Sequence, residues 1–431
     1  MQKKNSFLGI FLIGCLFFIF GFITWSNTQL IPYLKLACQL NDTQSYYVAT
    51  AFFAAYFFTS YPSSLLLKVI GFRKGMACGL LIMAVGAALF IPAARMVSYP
   101  VFLAGLFIIG TGLAMLQTAS NPYVTILGPI ESAARRMSIM GVCNKAAGII
   151  AVYTLGAITL KDADTVKASI ELASGNARQL IVEQLAGKVV VPYIIIAAVL
   201  VLLAVVIYRI MPEIRAENEE SRAEASPYDK VPLLGIRHLV LGALAIFFYV
   251  GAEVLCYDTF STFGQAAGYS LEEAKNFATY TGYALIVGYL VGIALIPAYI
   301  SQRQALVLSS LLSIVLVLLA MYTVGGVFPK EFPIICFALL GFSNAAIWPA
   351  IWPLAIDRIG RHTENGAALL VMMIVGGAVL PPLYGKLSAA MESRILAYWI
   401  MIPCYLYILF YALWGSRQQR PNAGNNIKVR S

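Results

Sequence analysis

Two ionisable residues fall deep inside apolar runs of this chain, and a short ladder of amides falls inside a third. Lys145 sits in MSIMGVCNKAAGIIAVY, eight residues past Met137, or about 12 Å along a helix rising ~1.5 Å per residue. From that depth an ammonium cannot easily reach an interface, so it faces a bundle interior or water. Asn144 is adjacent, and Gly141 and Gly148 flank the pair, leaving room for a neighbouring helix. Glu253, in FFYVGAEVLCYDTF, lies near the middle of another run, whereas Asp258 falls towards its end and is expected to be wet. Two roles are open to Glu253: structural partner of Lys145, or binder of a proton or cation. Lys145 is correspondingly a structural partner, a hydrogen-bond donor to a ligand, or a fixed internal charge.

The amides lie in GLAMLQTASNPYVTILGP, residues 112–129. Gln117 and Asn121 are four apart, so they stack on one helix face, with Thr125 continuing it. One such residue alone would glue helices or rebond a backbone freed by Pro122. Clustering, with a counterpart elsewhere in the chain, argues for binding instead. Aligning Pro122 with Pro353 sets Asn121 against Trp352 and Gln117 against Trp348, with Asn344 one turn away. Amides donate and accept hydrogen bonds, and indoles offer flat apolar faces. The combination suits a sugar, which has hydroxyl edges and C–H faces. Tryptophans near a helix end also serve as plain anchors. Asn27 and Thr28 close the first apolar run; they either line the same cavity or sit at the interface.

These residues need elements to hold them, and composition says which. Of 431 residues, 60% are hydrophobic and 12% charged, with mean hydropathy +0.80; a soluble domain is about a quarter charged. Apolar runs matching a ~30 Å hydrocarbon core fall at 8–30, 46–67, 75–94, 99–122, 137–160, 190–211, 236–261, 277–299, 304–325, 332–354, 365–387 and 395–415. The expectation is an all-α membrane protein with 12 transmembrane helices. Its N-terminal run is too long for a signal peptide and lacks a cleavage site. With that first span retained, nineteen Lys and Arg fall on the side of the termini and ten on the other, which places both termini in the cytoplasm. The net charge of +10 belongs to these short loops and to lipid headgroups; no basic, aromatic-interleaved stripe points to nucleic acid.

The polar segment MPEIRAENEESRAEASPYDKVP (211–232) divides the chain into six-helix bundles at 1–211 and 236–431, joined by a linker at 212–235. The halves echo each other. Asn121-Pro122 precedes Gly128 much as Trp352-Pro353 precedes Gly360, the signature of parallel repeats. The other long polar stretch, 161–189, is expected to be a solvated loop, with a lid-like amphipathic helix as the alternative. No catalytic triad, carboxylate pair or phosphate loop occurs. The seven cysteines are scattered, and two histidines cannot build a multi-histidine site. Neither enzyme chemistry nor a cofactor is expected.

Twelve spans, a central linker and LLLKVIGFRKG (65–75) resemble the major facilitator superfamily. More narrowly, GFITW, SYPSSLLLKVIGFRKG, GAALFIPAA (86–94), LQTASNPYVTILGP, FYVGAEV (248–254) and ALLVMMIVGGAVLPPLYG (368–385) resemble the bacterial fucose/galactose/glucose symporter family, nearest its glucose/galactose branch. The resemblance covers almost the whole chain. It implies two pseudo-symmetric bundles with a sugar site between them at mid-membrane, and alternating access by rocking. It implies a bacterial inner-membrane monomer importing a monosaccharide, glucose or galactose, together with Na+ or H+. Two departures stand out. Fucose permeases carry an Asp where this chain has Thr28 and a Glu where it has Gln117. A neutral amide keeps hydrogen bonds but cannot titrate. Any coupling acid must therefore lie elsewhere, and Glu253 is the candidate. Alternatively, Lys145 stands in for the ion and leaves an uncoupled facilitator, or it recognises an acidic sugar. A sugar sensor that does not transport is a further class, and the short linker with no recognisable domain argues against it.

Overall fold

The computed structural model describes residues 2–40, 42–159, 169–170, 172–211, 228, 231–274 and 277–418. In lipid every backbone polar group must be bonded within the chain, so apolar runs of this length become helices. The first half comprises α1 (Gln2–Ala37), α2 (Asp42–Ala88), α3 (Phe90–Arg95), α4 (Tyr99–Ile126), α5 (Ala133–Thr159), α6 (Gly175–Gly187) and α7 (Val190–Ile210). The second comprises α8 (Arg237–Asp258), α9 (Phe260–Ala266), α10 (Phe277–Leu295), α11 (Gln302–Thr323), α12 (Glu331–Asn344), α13 (Ile347–Ile356), α14 (Thr363–Met372), α15 (Gly376–Ala390) and α16 (Met401–Leu413).

Among the described residues, eleven helical segments are long and apolar enough to cross a membrane. One of them, Thr50–Arg95, holds 46 residues, more than twice a ~30 Å core at ~1.5 Å per residue. It breaks at Gly71, whose φ of 80° and ψ of 169° leave the helical region. Only glycine adopts that geometry freely. The break yields two crossings and brings the number to twelve, so the runs expected at 46–67 and 75–94 are two arms of one bent element. The outward side of α7, with Ile195, Val199 and Leu202 exposed, is the apolar surface a lipid neighbour requires.

The two halves repeat one packing scheme. In the first, α1 packs on α5, the first arm of α2 with its partner arm embraces α4, and α2 also packs on α7. In the second, α8 packs on α15, α10 on α12, and α11 on α16. Numbered by crossing, each half pairs its first span with its fifth, its second with its fourth and its third with its sixth. The halves meet where α5 lies on α10, and where α14 lies on α2 and α4.

The stretch expected to be a plain loop at 161–189 is helical over α6. Val182, Leu185 and Ala186 bury one face of it. The Tyr33 hydroxyl donates to the carbonyls of Leu185 (2.8 Å) and Ala186 (3.0 Å), satisfying acceptors that a helix end leaves open. Residues 160–168 and most of the expected linker (212–227, 229–230) lie outside the described residues.

Two crossings in the second half are discontinuous. The tenth stops at Asn344 and resumes at Ile347, and the eleventh passes through a 3₁₀ turn at Met373–Val375. A short 3₁₀ stretch inside a long helix marks a place where a helix can bend. Just after it, a β-carbon on Gly376 would land on the Phe247 carbonyl, so the eleventh crossing touches α8 backbone to backbone.

Candidate functional site

The two deep charges meet. Lys145 Nζ of α5 stands 3.0 Å from Glu253 Oε1 of α8, with the side chains 11% and 14% exposed. The pair therefore joins the first half of the chain to the second. The ammonium also lies over the Trp25 ring at 4.7 Å and the Tyr257 ring at 5.5 Å, and those rings touch each other at 4.5 Å. Cation–π attraction of this kind grows with desolvation. The glycines flanking Lys145 make the arrangement possible. A β-carbon on Gly148 would collide with Trp25, and one on Gly141 with the Tyr289 ring. Around the carboxylate, Tyr249, Cys256, Tyr257 and Tyr289 stand close enough to feel its charge. Asp258 is exposed at the end of α8.

The amide ladder divides. Gln117 is half-buried, and its Nε2 donates to the Tyr56 hydroxyl at 3.1 Å. The bond ties α4 to α2. Asn121 is wholly buried, and neither atom of its side-chain amide has a partner. Trp352 is equally buried, with Nε1 unpartnered. Its ring stacks on that of Trp348 at 5.4 Å and 29°, and Tyr249 adjoins Trp348 at 6.3 Å. Asn344 accepts from the Tyr405 hydroxyl at 3.0 Å while its Nδ2 has no partner. A buried polar group left unpaired costs about 1–3 kcal/mol. Orphans of this type stand on α4 in one half and on α12 and α13 in the other.

Not every candidate converges. Asn144 Nδ2 donates to the Phe17 carbonyl at 3.3 Å, tying α5 to α1. The side chains of Asn27 and Thr28 lie outside the described residues. Trp25, Tyr56, Tyr249, Tyr257 and Tyr289 went unnoticed as site residues from sequence, because aromatic residues are common in membrane helices. Trp25 and Tyr289 each pack onto one of the glycines flanking Lys145, a relationship that only the assembled bundle shows.

The halves are also tied on the face that carries α1's start and the described end of the chain. Ser64 Oγ donates to Asn365 Oδ1 at 3.1 Å, and Gln302 Nε2 to the Ile130 carbonyl at 2.6 Å. Ala134, Ile296 and Ala305 form a small apolar cluster beside them.

Comparison with known proteins fits this arrangement. The family model described as Major Facilitator Superfamily matches residues 12–381. A glucose/galactose transporter of Brucella abortus is 36% identical over 422 residues, 96% of each chain. The L-fucose-proton symporter of Escherichia coli is 30% identical, over 96% of this chain and 95% of its own. Crystal structures of the E. coli fucose:proton symporter superpose with a TM-score of 0.82 at 28% identity, covering 95% of this chain and 98% of theirs. One of them holds an outward conformation. These relatives are named as transporters, not enzymes.

Proposed function

The chain belongs to the Major Facilitator Superfamily, and from that membership we propose that it imports a monosaccharide, glucose or galactose, by alternating access of its two halves, with a coupled cation. The halves are residues 1–211 and 236–431, joined by the linker at 212–235. The observation that carries the reading is the set of buried, unpartnered polar atoms. The Asn121 amide offers two N–H donors and a carbonyl acceptor, and Trp352 Nε1 and Asn344 Nδ2 offer three further N–H donors. A sugar hydroxyl both donates and accepts, so a few hydroxyls satisfy all of them. Gln117, already bonded to Tyr56, adds another amide edge, and the stacked faces of Trp348 and Trp352 suit sugar C–H groups.

Glu253 is the carboxylate through which the cation acts, and Lys145 shapes the wall from α5, a helix that Asn144 braces against α1. The protein works as a monomer without a cofactor in the bacterial inner membrane, with its lipids as neighbours. Both termini are cytoplasmic, a reading that the Lys and Arg asymmetry supports. The test is uptake by proteoliposomes of a panel of sugars under separate sodium and proton gradients. Uptake of glucose or galactose against its gradient is expected. Failure of every monosaccharide to exchange would overturn the assignment.

A further inference from the structure

The contact between Lys145 and Glu253 does more than neutralise two charges, because its partners sit on opposite halves of the molecule. Any rocking that parts α5 from α8 must break it. The groups facing the carboxylate are the Lys145 ammonium from α5, Tyr249, Cys256 and Tyr257 from α8 itself, and Tyr289 from α10. Trp25 from α1 faces the ammonium. A hard cation such as sodium takes a shell of carbonyl, carboxylate or water oxygens. Here it would find one carboxylate, already occupied by an ammonium, among phenols, a thiol and an indole. A proton needs only a carboxylate oxygen.

The ammonium, for its part, has two seats. One is the carboxylate at 3.0 Å; the other is the pair of ring faces formed by Trp25 and Tyr257. If Glu253 loses its charge, Lys145 keeps the second.

Resting on the transport reading above, we propose that Lys145 and Glu253 form a latch between the two halves and that a proton is the coupling ion that opens it. A proton taken from water forms an O–H bond on Glu253, and the ion pair is replaced by a neutral acid and an ammonium held on the rings. The site passes from net zero to net positive, and α5 can part from the second half, where it lies on α10 and α13, without stranding a carboxylate. The Lys145 ammonium at 3.0 Å and an incoming proton compete for the same carboxylate oxygen, so proton binding and opening are one equilibrium. Release of the proton on the other side closes the latch. Lys145 is a positioning residue that excludes other cations from Glu253.

Hydrogen–deuterium exchange on the purified protein, corrected for intrinsic rates, tests the latch without any sugar. Between mildly alkaline and mildly acid pH, wild type should show increased exchange along α5 and α8. Glu253→Gln should show the acid pattern at both, and Lys145→Arg should keep the pH response. The neutral pair Lys145→Met with Glu253→Gln guards against misfolding from a stranded ammonium and should be equally indifferent to pH. A wild type that ignores pH, or a Glu253→Gln protein that still responds, overturns the latch. In proteoliposomes, a proton gradient should drive accumulation and a sodium gradient should not. Glu253→Gln should retain counterflow while losing accumulation, its internal sugar only equalling the external. Accumulation driven by sodium and abolished by Glu253→Gln overturns the proton assignment. Because the exchange experiment needs no substrate, it fails independently of the monosaccharide reading.

Discussion

Ser64 of α2 donates its hydroxyl to the Asn365 side chain at the start of α14, 3.1 Å away across the boundary between the halves. Gln302 bonds Ile130 on the same face, so closure there rests on a few polar contacts around a small apolar cluster. Removing one neutral hydrogen bond shifts such an equilibrium by about 1 kcal/mol, or roughly fivefold. Asn365→Ala should therefore populate the state open on that face, read as roughly fivefold faster labelling of a cysteine placed at Ala134. Unchanged labelling would show that closure is held elsewhere.

Asn121→Ala should separate stability from function. The amide is buried with neither atom partnered, so removing it relieves a desolvation cost of about 1–3 kcal/mol against the cavity it leaves. Thermal stability in detergent should stay level or rise, while apparent sugar affinity falls by about tenfold, the loss of one well-made bond. A fall in melting temperature with affinity intact would assign Asn121 to structure.

Gln117→Ala is expected to weaken sugar uptake sharply with membrane expression unchanged. It also strips Tyr56 of one partner. Gln117→Glu, which keeps the shape of the side chain, should preserve binding better than Ala does. Equal affinity in Ala and wild type would refute a binding role.

Gly148 is a packing switch for the charged pair. A β-carbon there collides with the Trp25 indole, and overpacking of this kind costs typically about 1–3 kcal/mol. Gly148→Ala should lower the melting temperature and alter Trp25 fluorescence. Shortening the ring by Trp25→Phe in the same protein should recover much of the stability.

Arg136 closes the α4–α5 turn. Its guanidinium donates to the carbonyls of Val124, Thr125, Gly128 and Pro129 and to Ser132 Oγ. A lysine has neither the planar fork nor the number of donors. Arg136→Lys should consequently destabilise nearly as much as Arg136→Ala in a thermal melt, and rescue by Lys would refute the fork argument.

The twelve crossings were legible because a bilayer demands long apolar helices, and that pattern survives any detail of packing. Lys145 and Glu253 were legible as exceptions to the same rule. Their meeting was one alternative among several, since 108 residues separate them and periodicity within one helix says nothing about which helix it faces. Asn121 and Trp352 could be aligned through their prolines, but their lack of partners is a property of the assembled bundle. Helix α6 stood second to a plain loop because a polar, solvent-facing stretch gives a weak apolar face. What decides it is Tyr33, 152 residues earlier, reaching the Leu185 carbonyl.

The separation between Lys145 and Glu253 also has a meaning in time. At about 5–20 residues per second, the 108 residues between them put some 5–20 s between the synthesis of Lys145 and that of Glu253. During that interval a lone lysine carries an insertion penalty of about 2.5–3.5 kcal/mol. Trp25 has already been made by then, and its ring is the one that ends up 4.7 Å from the ammonium. The indole is thus available to the lysine before the carboxylate exists.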